Sequence, residues 1–146
     1  MINPKYQPLL TLQTYNGVPD PVVMENWRSQ LEGFFEKKTR YAVITDLTDV
    51  RTPDKDIKNR ESEWIKQHKP ELKEWCIGLA LVVPSSVIRI ALNAVFWVSP
   101  LPHPYAVVSN FGEAYDWIEA ALLKEGIPMP VSREACILEM KNAQED

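Results

Sequence analysis

The chain has 146 residues, of which 45% are hydrophobic and 25% charged, with 5 Gly, 12 Pro, 2 Cys and a net charge of −4. That length fits one domain able to bury a core without disulfides or metal, and the composition excludes disordered, collagen-like and coiled-coil chains. The acidic balance argues against a nucleic-acid binder working by phosphate neutralisation, and the glycines are too few and too scattered for a phosphate-cradling loop.

Taken in order, Pro8 to Tyr15 reads as a first strand, closed by the turn pair Asn16-Gly17. Asp20-Pro21 then signals a helix start, an N-cap followed by proline at the first helical position. Met24, Trp27, Leu31 and Phe34 follow at helical spacing and form one apolar face. Tyr41 to Leu47 is a second strand, mostly apolar. Thr52-Pro53-Asp54 repeats the cap-plus-proline signal, with Asp54 and Asp56 complementing the helix dipole. Ile57, Glu61, Trp64, Ile65 and His68 continue that second helix until Pro70 interrupts it.

Cys76 to Val83 is apolar throughout, as a strand covered on both faces should be. Pro84 ends it, and Ser85-Ser86 cap a third helix running through Val98. After the Pro100, Pro102 and Pro104 loop, Tyr105 to Val108 is a fourth strand. Asn110 with Glu113 makes a capping-box-like start for a fourth helix, which Gly126 ends. The tail, 127–146, carries Val131, Ala135 and Leu138 and predicts a short final helix.

Strands alternating with helices imply an α/β fold, a mostly parallel four-stranded sheet flanked by four or five helices, with right-handed crossovers. Residues 1–146 form one domain with its core over about 8–126. The expected strand order is 2-1-3-4, which creates a switch point between strands one and three. Ligands gather at the carboxyl ends of the strands in such sheets. That edge draws on Asn16 and Gly17, Asp46 to Arg51, Ser85 to Arg89, and Ser109-Asn110.

Known chemistries fit this edge poorly. Asp46 stands where a phosphoryl-accepting aspartate would, but no acidic pair follows strand one and no lysine follows strand four. A hydrolytic triad of Ser85 or Ser86, His103 and Asp46 can be drawn, without a G-x-S-x-G elbow. Asp46 and Asp49 are the one tight acidic pair, read as turn and cap residues rather than metal ligands. No cofactor or metal is expected. Cys76 and Cys136 read as buried free thiols. The segment Met1 to Lys5 has no apolar h-region, and Val87 to Val98 covers about half a membrane span, so a cytoplasmic location is expected.

The third helix is the unusual element, being apolar nearly all round. Ser86, Arg89, Asn93, Phe96 and Trp97 share one side of its wheel; Ile88, Ala91, Leu92, Val95 and Val98 take the other. Aromatics beside an arginine are typical of interface cores. The expected contact surface is therefore Asp46, Asp49, Arg51, Ser86, Arg89, Asn93 and Trp97. Its expected occupant is a protein partner, including a second copy held through this helix.

Three stretches carry a family resemblance: Val43-Ile44-Thr45-Asp46-Leu47-Thr48-Asp49-Val50, Arg89-Ile90-Ala91, and Ser109 to Trp117 with its Glu113-Ala114 and Trp117. Together they resemble the small bacterial STAS-type proteins, the anti-sigma-factor-antagonist-like domains, related in fold to CRAL-TRIO lipid carriers. The resemblance covers roughly residues 8 to 126 and implies a non-enzymatic regulatory or scaffolding domain. In that family a phosphorylatable serine follows an aspartate at the start of the helix after the second of these strands. Here Asp54 takes the aspartate's place, while Lys55 and Asp56 replace the serine pair. The family also opens with an extra antiparallel strand, for which only Met1 to Gln7 remains. The alternative reading is a carrier of an apolar or lipid ligand, held in a pocket lined by Phe96, Trp97 and Trp117.

Overall fold

The protein is seen in a computed structural model that describes residues 6–13, 20–48 and 55–145. Ten elements follow one another: β1 (Leu9–Gln13), α1 (Pro21–Glu36), β2 (Tyr41–Asp46), α2 (Lys55–Gln67), α3 (Lys69–Trp75), β3 (Cys76–Val82), α4 (Ser86–Val98), β4 (Tyr105–Val108), α5 (Phe111–Lys124) and α6 (Arg133–Glu145). The third and fourth helices of the sequence reading are thus α4 and α5. The architecture is α/β, with four strands among the described residues, all parallel.

The strand order is β1-β2-β3-β4, which corrects the expected 2-1-3-4. The reason lies in the strands themselves. All six residues of β2 are buried, and β3 is nearly as enclosed, so these two apolar runs take the centre. β1 and β4 form the edges, and the order nowhere reverses, so the sheet has no switch point.

Right-handed crossovers that all step the same way must place their helices on one face of the sheet. On that face Leu10, Leu12, Tyr41, Val43 and Cys76 pack with Trp27 and Leu31 of α1, and Trp64 of α2 and Trp75 of α3 close over them. α4 lies on the same side. Its Phe96 ring stacks edge-on against Tyr105, which pairs with Leu79 of this cluster, at a centroid distance of 4.9 Å. The opposite face is covered by the two helices that follow the last strand. Leu9, Ala42, Ile44, Ala80 and Val82 pack with Phe111, Ala114, Tyr115, Ile118 and Leu122 of α5 and with Cys136 and Met140 of α6.

Two further differences from the sequence reading have local causes. There are six helices among the described residues rather than four or five, because Pro70 starts a new helix instead of only ending α2. Proline fits the first turn of a helix, where its missing N–H has no partner to lose. The tail forms the 13-residue α6, and its Val131, Cys136 and Met140 are core residues beyond position 126. The Tyr115 hydroxyl fastens this tail by donating to the Val131 carbonyl at 2.6 Å.

Candidate functional site

α4 is the last helix in the row on its face, and it packs on β4 at the sheet's margin. Among the described residues no further crossover helix lies beyond it, and that position exposes their most apolar helix. Ser85 caps its start by accepting from the Ile88 N–H at 3.4 Å. Arg89, Leu92 and Phe96, at the helical spacing of one stripe, are the residues turned toward the sheet and are half-buried. None of its side chains is fully buried. Trp97 is 86% exposed, Val98 84%, Val87 74% and Ile90 71%, and Ala91, Ala94 and Val95 are exposed beside them.

This arrangement regroups the expected contact residues. Trp97, Asn93 and Ser86 are exposed on α4 as the sequence suggested. Arg89 is not part of that outer surface, which corrects its assignment there. Its Nη1 donates to the carbonyls of Val83 at 2.8 Å and Pro84 at 2.7 Å. These carbonyls follow the end of β3, where the ladder no longer supplies donors, and a guanidinium folded back along its own helix satisfies them. Asp46 also turns inward. It is buried at the end of β2, and its carboxylate accepts from the Thr48 N–H at 2.9 Å and from the Thr48 hydroxyl, an Asx turn rather than an exposed contact. Asp49 and Arg51 lie outside the described residues, as do Asn16, Gly17, Thr52 and Asp54.

The strand-end edge does hold a cleft of about 430 Å³, lined by Thr48, Val82, Pro84, Ser109, Asn110, Phe111, Gly112, Arg133, Ile137 and Lys141. Both of its cations, Arg133 and Lys141, come from α6, the segment that the sequence alone marks only as a tail. Arg133 is already engaged, its Nε donating to Asp116 at 3.0 Å. At the cleft's rim Asn110 accepts from the Glu113 N–H, and Glu113 accepts from the Ser109 N–H, both at 2.9 Å. The backbone N–H and the side chain of Ser109, with a smaller contribution from the charge of Arg89, hold the Glu113 carboxyl below its ordinary range.

The triad drawn from the sequence is not assembled. Ser85 and Asp46 stand at the carboxyl ends of β3 and β2, whereas His103 precedes the start of β4, at the other end of the sheet. The His103 ring lies with Nδ1 3.1 Å from the Pro104 carbonyl oxygen, and burial lowers its pKa, favouring the neutral ring. His68 sits between Phe35 and Trp64, with Nε2 3.3 Å from the Glu32 carboxylate. The proposed carrier pocket is likewise divided by the sheet. Phe96 rests on Tyr105 on one face, while Trp117 belongs to the cluster on the other.

Burial pushes the Cys76 thiol up to about 12 and the Cys136 thiol up to about 11, so both stay protonated and unreactive near neutrality. Among the described residues, no group of three or more His, Cys, Asp or Glu is placed to hold a metal ion, and no helix is long and apolar enough to cross a membrane. The chain matches no family model, no curated protein and no solved structure.

Proposed function

We propose that the chain is a non-enzymatic regulatory or scaffolding domain that binds a protein partner through the outer face of α4. One observation carries this reading: a 13-residue helix, apolar around most of its circumference, lies on the protein surface with its single charged residue folded inward. Weighted by their exposures, Val87, Ile88, Ile90, Val95, Trp97 and Val98 leave roughly 700–800 Å² open to water, above the 300–600 Å² of the largest patch on an ordinary monomer. It approaches the area of about 800 Å² that one partner brings to a standard interface. The likeness of residues 43–50, 89–91 and 109–117 to the STAS-type proteins supports the same reading. With Lys55 and Asp56 in place of the serine pair, binding rather than phosphorylation of that pair is the activity such a domain retains.

The test is native mass spectrometry of the chain isolated from its own host, beside the double variant Val87→Glu, Trp97→Glu. A protein partner, whether another chain or a second copy, should add mass to the wild type and leave the variant, whose thermal unfolding should stay cooperative. A retained small molecule with no added protein would overturn the reading in favour of a carrier. A variant that no longer unfolds cooperatively would overturn it too, since the face would then be part of the chain's own core.

A further inference from the structure

Apart from the outer face of α4, the fold builds a concave surface where the sheet ends. The cleft of about 430 Å³ lies past the carboxyl ends of β2, β3 and β4 and has the size of a small-molecule site. Parallel sheets gather ligands at this edge. Here α6, rather than a reversal of strand order, walls the crevice.

The wall is one stripe of that helix. Arg133, Ile137 and Lys141 follow at four-residue spacing and all line the cleft, whereas Glu134 and Glu139 of α6 lie off the stripe. In a chain of net charge −4, the described lining therefore carries both cations and no carboxylate. Acids nearby are engaged elsewhere: Asp46 with Thr48, Glu113 with the Ser109 N–H, and Asp116 with Arg133.

The two cations differ in how firmly they are held. Asp116 takes Nε and Nη2 of Arg133 at 3.0 and 3.4 Å, which leaves the Nη1 group without an acceptor among the described residues. A Cβ on Gly112 would stand 2.5 Å from Arg133 Nη2, so the bare glycine lets the guanidinium lie against the start of α5. Lys141 makes no hydrogen bond or ion pair among the described residues and is exposed. Two turns of helix, about 12 Å, separate the two positions along the axis. Beside these charges Val82, Pro84, Phe111 and Ile137 supply an apolar lining that inorganic phosphate would leave uncovered.

We infer that the cleft binds a small organic anion, an apolar ring or chain bearing a phosphate or carboxylate, with its acid group on Arg133 and its apolar part on Phe111 and Ile137. Lys141, at the far end of the stripe, adds attraction without fixing the acid group. A guanidinium held from behind by one carboxylate is oriented before the second arrives, which lowers the cost of binding. The inference does not depend on what covers α4.

Amide-resolved NMR titration of the full chain tests it, with naphthyl phosphate, naphthoate, inorganic phosphate and neutral naphthol as probes. One or both naphthyl anions should saturate the protein, shifting the amides of Thr48, Ser109, Gly112 and Ile137. The tighter of the two identifies the acid group. Either should bind about tenfold or more tightly than phosphate or naphthol, and Arg133→Gln should remove most of that advantage. Lys141→Gln should weaken binding only about threefold, and less as salt is added.

No saturation by either anion overturns the inference, as do shifts centred on Trp97 and Val98, which would place the probe on α4. Naphthol binding as tightly as the anions removes the role of charge, and phosphate doing so removes that of the apolar lining; either result overturns the assigned ligand class. Unchanged affinity in a folded Arg133→Gln overturns the seat of the acid group. If that variant fails to fold, Lys141→Glu decides, and an affinity equal to the wild type overturns the site.

Discussion

A Cβ built on Gly78 would stand 2.8 Å from Cζ3 and 2.9 Å from Cη2 of Trp117, so the indole occupies the space a side chain would need. The ring is half-buried and packed against the core, so moving it off Gly78 gives up packing contacts. Gly78→Ala should therefore lower stability by about 1–3 kcal/mol in urea unfolding; a loss under ~0.5 kcal/mol would show that the indole yields freely. The two thiols make a second prediction at this scale. Their pKa values, ordinarily 9.0, rise on folding to about 12 for Cys76 and about 11 for Cys136, so the fold favours the protonated form. Their contribution is complete below pH 9 and is lost as pH rises toward 11 and 12, because the unfolded chain releases those protons first. Stability to urea should fall by a little over ~1 kcal/mol in all between pH 8 and pH 10 for each thiol. A Cys136→Val variant should decline less steeply, and equal slopes would contradict the assignment.

At the scale of single elements, the parts best read from sequence were those set by a few neighbouring residues. Asn110, Glu113 and Gly126 announced both ends of α5, and each does there what its chemistry suggests. Gly126 has φ +72°, its N–H donates to Leu123 and the Ile127 N–H donates to Leu122, both at 3.0 Å. This is the paired closure that favours a left-handed glycine. Asn110→Ala and Gly126→Ala should each cost about 1 kcal/mol in thermal or denaturant unfolding, and a neutral result at either would deny that cap its role. α4 was legible in its extent and apolar excess but not in its orientation. A wheel read alone turns an arginine outward, whereas Arg89 answers to two carbonyls beyond the end of β3, a demand set by the tertiary fold. Asp46 carries two readings in the sequence, turn residue and contact residue, and its burial in a local Asx turn with Thr48 bears out the first against the second. α3 was missed because Pro70 signals an end and a beginning equally well.

Strand order belongs to the whole molecule, and it decides which surfaces need covering. Periodicity identified four strands correctly but could not rank them, since their neighbours are settled by pairing across tens of residues. Once the order runs β1-β2-β3-β4 with every crossover on one face, the chain after β4 supplies the helices that shield the other, with Tyr6 ahead of β1 packed beside them. α5 alone cannot do so. Val131, Cys136 and Met140 of the tail complete that core, and Tyr115 ties the tail down through the Val131 carbonyl. Burying a side chain such as valine or methionine contributes about 1.5–3 kcal/mol, so the three together approach the 5–15 kcal/mol that is the whole stability of a domain. Ending the chain after Gly126 should thus abolish cooperative thermal unfolding and raise binding of a hydrophobic dye, even though every strand remains. The outer face of α4 behaves oppositely, because charge placed there should change assembly and leave the melt intact. A truncated chain that kept the wild-type melting temperature would mean that α6 merely leans on the domain, and the sheet's second face would then need another cover.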